Sequence, residues 1–188
     1  DNRAELGINL EDTGWGVIFA AAAPSALREA LKELLDLRRS QAGRKRSTYY
    51  REFFGADGYR PGETAQRFLA RWDASSGLAN PEKMPYYLLI VGDPAEIPFE
   101  FQYGLDVQYA VGRIYFENVE EYARYARSVA LSETRHAEGS FNLPNRLAVF
   151  APQNADDRAT KMSVDYLVKP LLDTLPNLAP NWDIQPLI

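Results

Sequence analysis

An α/β fold, with a mostly parallel sheet flanked by helices in three layers, is predicted by three features of the sequence. The runs WGVIFAAAA (15–23), YYLLIVG (86–92) and RLAVFAP (146–152) are continuously apolar. Strands buried on both faces of a parallel sheet read this way, without alternation. The segments that separate them carry apolar residues at helical spacing. The last such pair, a helix followed by DIQPLI (183–188), reads as the end of a strand–helix–strand crossover.

Taken in order, residues 15–23 predict a buried strand. Pro24 and Ser25 follow, with Ser25 as the expected N-cap. Leu27, Ala30, Leu31, Leu34 and Leu35 then recur at helical spacing, and Gly43 is the expected stop. RKRSTYYREFFGADGYRPGE reads as a polar and aromatic connection with turns at Gly55, Gly58 and Pro61–Gly62. Ala65, Phe68, Leu69 and Trp72 mark a second helix, and 75–85 reads as a loop. The clearest strand, 86–92, is expected at the sheet centre. A Pro-containing loop and the strand-like stretch 108–116 follow.

Asn118 with Glu121 forms a near capping box for a helix that places Val119, Tyr122, Ala126 and Val129 on one face. Glu120 and Arg124 are spaced as an i,i+4 pair. ETRHAEGS reads as a polar loop, 146–152 as another buried strand. Val164, Leu167, Val168, Leu171, Leu172 and Leu175 form an apolar stripe that Pro170 should kink or split.

A chain of 188 residues buries roughly 70% of its unfolded surface and needs no covalent staples. It has no cysteine, which removes disulfides, thiolate metal sites and any cysteine nucleophile from these residues, and fits a reducing cytoplasm. The net charge of −5 argues against a general nucleic-acid binder. No apolar run approaches the ~20 residues of a membrane span, and DNRAELGINLEDTG has no signal-peptide character. With no initiator Met and a strand-like final segment, the chain is expected to be part of a longer protein.

The candidate chemistry is sparse. Asp93 stands at the carboxyl end of a central strand, the edge where open α/β sheets bind ligands; the bland alternative is an Asp-Pro turn. Gly112–Arg113 interrupts a strand, so Gly112 suggests a bulge or close backbone approach. Arg113 has the fork geometry to clamp a carboxylate on a partner segment. Its structural reading is an ion pair with Asp93 or Asp106. His136 is the only histidine and reads as a surface residue, so no catalytic triad assembles around it. RRSQAGRKR (38–46) is either a site for an acidic partner or phosphates, or a solvated helix end. Gly14-Trp15-Gly16 precedes its strand and is no phosphate loop. Tyr49, Tyr50, Phe53, Phe54 and Tyr59 read as a local core rather than a stacking platform for bases.

Beyond single residues, the ordered set Val91-Gly92-Asp93, Ile97-Pro98, Gly112-Arg113 and a Glu-rich helix with Glu120, Glu121 and Glu133 resembles the gingipain-type cysteine peptidases. These belong to the caspase-like peptidases, whose relatives include the CHAT domains of bacterial proteins. The resemblance covers about residues 86–188. It implies a division into an N-terminal α/β segment, 1–85, and the first part of a peptidase domain, 86–188. It further implies a bacterial, cytoplasmic hydrolase whose Cys-His pair lies beyond Ile188.

Many members carry an acidic, Gly-containing loop before the Gly-Arg strand. Here Asp106-Val107-Gln108-Tyr109 runs directly into it, so no metal or other cofactor is expected. His136 precedes Ala137 and does not match the family's His-Gly. A cysteine peptidase needs a thiolate, a proton-handling histidine and an oxyanion hole. These residues alone are therefore expected to be inactive, with Asp93, Asp106 and Arg113 as pocket-lining or structural candidates. The expected partners are the remainder of the same polypeptide and a protein or peptide substrate, not nucleic acid or membrane. Two other readings stand beside this one: a non-catalytic interaction or signalling module of the same fold, and a small-molecule or nucleotide-binding α/β domain using the strand ends near Asp93.

Overall fold

A computed structural model describes residues 9–75, 79–137 and 145–187, without the side chain of His136. The N-terminal residues 1–8, the middle of the 75–85 loop, residues 138–140 of ETRHAEGS and Ile188 lie outside the described residues. The chain divides into two compact units, Asp1–Thr134 and Arg135–Ile188.

The first unit is a four-stranded, wholly parallel sheet. After a short helix α1 (Leu10–Thr13) comes β1 (Trp15–Phe19). Helices α2 (Ser25–Ala30) and α3 (Lys32–Ala42) lead to β2 (Tyr50–Phe53), and α4 (Ala65–Ala70) to β3 (Tyr87–Val91). Helix α5 (Phe99–Asp106) precedes β4 (Ala110–Ile114), and α6 (Val119–Ala137) follows it. The strand order is β2-β1-β3-β4. β1 pairs in parallel with both β2 and β3, and β3 with β4, from Tyr87↔Ala110 to Val91↔Ile114. The central position expected of β3 is thus observed. β1 and β3, which lie on either side of the 85/86 boundary, are neighbours in this one sheet.

Both faces of the sheet are covered, which explains the continuous apolar runs. On one face Ile18, Phe53, Leu88 and Ile90 pack with Phe68 and Leu69 of α4 and with Phe101 and Leu105 of α5. On the other, Trp15, Val17, Phe19 and Val91 pack with Leu31, Leu34 and Leu35 and with Tyr122 and Ala126 of α6. Successive residues of a strand point to opposite faces, so β1 supplies both cores in alternation. The result is helix, sheet, helix.

Several local expectations change. Ser25 is not the cap: Pro24 holds the N-cap position without a side-chain bond, and Ser25 already lies in α2. A break at Leu31 (φ −86°, ψ 3°) divides the expected helix into α2 and α3, and Gly43 does end α3. The connection after it contains β2, whose Tyr-Arg-Glu-Phe sequence lacks an apolar run; on this edge strand Tyr50, Arg51 and Glu52 are only half-buried and Phe53 alone is buried. The segment after Ile97-Pro98, expected as a loop, forms α5. Phe101 and Leu105, one helical turn apart, bury there. Asn118 does cap α6, accepting from the Glu121 backbone N–H at 3.3 Å. Arg124 pairs with Glu121 rather than Glu120. The helix runs through Ala137, so the start of ETRHAEGS is helical.

The aromatic segment around β2 is core, as expected. Phe53 and Tyr59 are buried, Tyr50 stacks on Trp15, and Phe54 meets Phe19 edge to face. Glu52 ties this edge strand down. Its carboxylate accepts from Arg28 Nε at 2.5 Å, Arg39 Nη2 at 2.6 Å and the Tyr50 hydroxyl at 2.7 Å. Burial opposes the Glu52 charge, but the bonds from Arg28 and Tyr50 prevail and hold its pKa below the ordinary carboxylate range. Burial also pushes the Tyr50 hydroxyl up, with Glu52 adding to the effect.

A depressed carboxylate pKa contributes stability in full above its unfolded value of about 4.3, and that stability is lost as pH falls through the lower folded value. Glu52→Gln is therefore expected to cost about 1–3 kcal/mol at neutral pH and to flatten the acid limb of the stability curve. Urea midpoints between pH 7 and pH 3 measure both effects. Parallel acid losses in the two proteins would refute this role for Glu52.

The second unit holds β5 (Arg146–Phe150), α7 (Arg158–Ser163), a π-helical turn at Val164–Val168, α8 (Lys169–Leu178) and β6 (Asp183–Leu187). β5 and β6 pair in parallel as a separate two-stranded sheet, so DIQPLI does close a strand–helix–strand unit. Asp157 caps α7 by accepting from Ala159 N–H at 2.8 Å. Pro170 falls in the first turn of α8, directly after the π turn. This is the split its missing N–H demands. A correction concerns β5, expected to be fully buried. Leu147 and Val149 are half-buried and alternate with exposed neighbours. The small core of this unit is Ala151, Val164 and Val168, with Val149 and Leu172 against it.

Candidate functional site

The carboxyl edge of β3 and β4 gathers the polar residues that the sequence singled out. β3 ends at Val91, and Gly92 then adopts φ +140°, a backbone conformation that side-chain-bearing residues rarely take. Its N–H donates to Ile114 O at 3.1 Å and its carbonyl accepts from Arg113 Nη1 at 3.1 Å. Asp93 follows. Its Oδ1 accepts from Ala95 N–H at 2.7 Å, and its carbonyl accepts from Glu96 and Ile97 N–H at 2.9 Å each. The Asp-Pro turn is thus formed, and it aims the chain into α5.

Arg113 lies on β4 opposite Ile90. Its Nε donates to Gln102 Oε1 at 3.0 Å, and its guanidinium lies 5.1 Å from the centre of the Phe99 ring. The expected ion pair with Asp93 or Asp106 is replaced by these neutral partners. Burial lowers the Arg113 pKa, and the negative charge of Asp93 acts the other way. Nη2 is buried without a hydrogen-bond partner among the described residues. The Asp93 charge, with burial and a hydrogen bond, raises the pKa of Tyr115.

The structure brings Asp93 and Arg113 together and leaves Asp106 apart. Asp106 ends α5, four residues before Ala110, which pairs with Tyr87 at the start of β3. It therefore sits toward the opposite, amino edge of the sheet. Gly112 forms no bulge. It keeps regular register with Leu89, whose Cδ1 would lie 3.9 Å from an added Cβ. It borders an open cavity of about 310 Å³ with Trp15, Leu89 and Ala110. A second cavity of about 470 Å³ lies among Asn9, Glu11, Arg38, Gln41, Arg44 and Glu133, and a third of about 310 Å³ between α4 and α5. None of these three is lined by Asp93, Asp106 or Arg113.

Sequence reasoning missed Gln102, Phe99 and Tyr115. The first two fell in the segment read as a loop. The Pro98 start and the Phe101/Leu105 spacing were the available signal.

The basic stretch 38–46 is neutralised. Arg38 makes a bidentate pair with Glu133, both bonds at 2.7 Å, and lies beside Gln41. Hydrogen bonds from Arg38 lower the Glu133 pKa, with burial opposing. Arg39 pairs with Asp36 and Glu52, Arg44 with Glu11, Lys45 with Glu11 and Asp12, and Arg46 with Glu82. Each of these cations has an internal carboxylate, so the stretch is a set of structural ion pairs. Glu133, singled out by the resemblance, thus anchors α6 to α3.

Chemically, the Asp93–Arg113 edge holds acceptors, a guanidinium and a phenol, but neither a thiol nor a described histidine side chain. Among the described residues no group of three or more His, Cys, Asp or Glu is arranged to hold a metal ion. No helix among them is long and apolar enough to cross a membrane. No family model, curated protein or solved structure matches the chain.

Proposed function

We propose that these residues are the scaffold portion of a caspase-like, gingipain-related cysteine peptidase domain. In this reading they supply the parallel sheet and pocket walls, and the Cys-His pair lies beyond Ile188. The observation that carries it is the meeting of Gly92-Asp93 with Arg113, the residue after Gly112 of mid-β4, near the carboxyl end of β3, joined by the hydrogen bond from Arg113 to the Gly92 carbonyl. Ligands and reacting groups of open α/β sheets gather at that edge. The bacterial origin, the cytoplasmic location and a peptide substrate belong to the same proposal.

The chain has no cysteine, so a thiolate mechanism has no nucleophile within it. The 188-residue chain is expected to leave peptide substrates intact. On this proposal, a polypeptide that extends past Ile188 to include the Cys-His pair is expected to cleave them and to lose that activity on thiol alkylation. Cleavage by the 188-residue chain, unaffected by alkylation, would sink the proposal. An intact fold in the longer polypeptide, with no cleavage and no reactive thiol, would instead favour the non-catalytic interaction module.

One observation favours a second reading, a small-molecule site at the same edge: the buried Arg113 Nη2 without an acceptor among the described residues. Thermal shift against a nucleotide panel tests it. No stabilisation at ligand concentrations about 100-fold above a plausible dissociation constant counts against it.

A further inference from the structure

The outward side of α5 is inverted relative to an ordinary surface helix. A helix packed on a sheet buries its apolar stripe and shows polar residues to water. α5 buries Phe101 and Leu105, yet Phe99, Tyr103 and Val107 run along its outer side at 44%, 62% and 81% exposure. Their spacing of four places them one above another. Phe99 and Tyr103 stack, with ring centres 5.9 Å apart, and the Arg113 guanidinium backs Phe99 from the sheet side. The seam is therefore held in place before anything covers it.

Carboxylates flank this seam. Glu100 lies along one side of it and Asp106 along the other, with Glu96 just before the helix, and all three are exposed. None of the three takes part in an ion pair among the described residues, whereas the basic stretch 38–46 is paired throughout. Between Lys83 and Arg124 the sequence has Arg113 as its only cation, against Asp93, Glu96, Glu100, Asp106, Glu117, Glu120 and Glu121. An apolar seam with unpaired acidic shoulders is half of a helix–helix contact whose other half carries Lys or Arg beside its own apolar stripe.

We propose that the Phe99–Tyr103–Val107 face of α5 docks a cationic amphipathic helix of a partner protein. The acidic shoulders repel nucleic acid and anionic lipid headgroups. A two-fold contact between copies of this chain would set Glu100 and Asp106 against their own like charges, because such an interface uses the same patch twice. An eight-residue helix offers about 12 Å of contact, which belongs to the small, transient class of interface.

The test measures fluorescence anisotropy of a labelled synthetic helical peptide bearing a Leu stripe flanked by Lys, titrated with the 188-residue chain. A matched peptide flanked by Glu is the control. Saturable binding of the Lys peptide alone is expected, weakening with added salt. Glu100→Lys combined with Asp106→Lys should weaken it by about tenfold or more and transfer binding to the Glu peptide, since rim charges set partner choice. Tyr103→Ser should abolish binding while circular dichroism stays unchanged, because that side chain is mostly exposed. Equal affinity for the two peptides, no binding of the Lys peptide, or indifference to the charge reversal overturns the proposal. Dimerisation in sedimentation that Tyr103→Ser removes assigns the face to a second copy and likewise overturns it.

Discussion

Replacing Phe68 with alanine is expected to cost about 3–5 kcal/mol, the largest effect of any single truncation considered for this chain. Phe68 is fully buried on α4. Its ring meets Phe53 at 5.2 Å and Phe101 at 5.4 Å, both edge to face, and the Arg71 guanidinium lies 5.1 Å away. Phe53 comes from β2 and Phe101 from α5, so the truncation opens a void shared by three elements. Close-packed surroundings relax only partly into such a void. A domain has about 5–15 kcal/mol in all, so about a fifth of the stability or more is at stake. Urea unfolding should show a lower midpoint with unchanged slope. A loss below about 1 kcal/mol would mean that the aromatic cluster repacks freely, contrary to the large truncation costs typical of cores.

The second large effect is expected at Gly14→Ala. Gly14 has φ 77° and ψ 161°, a region that is essentially glycine-only and costs of order 1–3 kcal/mol for other residues. An added Cβ would also stand 2.7 Å from the Tyr49 carbonyl oxygen and 3.3 Å from Pro85. Tyr49 O and the Pro85 Cα are backbone, so the neighbours can move only by shifting the starts of β2 and β3 relative to β1. Strain and overlap therefore add. Thermal unfolding should place Gly14→Ala well below the wild type and below Gly62→Ala, where φ is +75° but nothing lies within 4 Å of an added Cβ. Equal losses at the two glycines would show that the backbone conformation, not the close approach, sets the cost. Gly14-Trp15-Gly16 was read as no phosphate loop; the cost at Gly14 gives that glycine a structural purpose.

Much of the framework was legible because its signals are local. β1 and β3 announce themselves as apolar runs, since a strand covered on both faces needs apolar residues at every position. α4 and α6 show their buried positions at helical spacing, and the Asn118 cap is contained within four residues. What was misread depended on neighbours far along the chain. β2 is a strand because β1 offers it a parallel partner; its own Tyr-Arg-Glu-Phe sequence does not ask for one. α5 follows a proline-rich turn, and only the core formed by Phe53, Tyr59 and Phe68 gives Phe101 and Leu105 a place to bury.

The candidate site divides in the same way. Asp93 was identifiable from its place at a strand end and Arg113 from its interruption of an apolar strand, but the way they meet was not. Arg113 turned out to bond neutral groups, Gln102 and the Gly92 carbonyl, and Asp93 to cap its own turn. Asp106 seemed equivalent to Asp93 in sequence, and the intervening helix carries it toward the other edge of the sheet.

By itself, the sequence determined the α/β class, the two central strands, the absence of a thiol nucleophile and the residues worth inspecting. These follow from composition and from periodicity within single elements. Only the tertiary structure decided that Asp93 and Arg113 share an edge and that the basic stretch 38–46 is consumed by ion pairs. It also decided that α5 presents an acidic, aromatic face to solvent. The physical reason is that register, ion pairing and exposure depend on contacts between residues tens of positions apart, and no local pattern encodes those contacts.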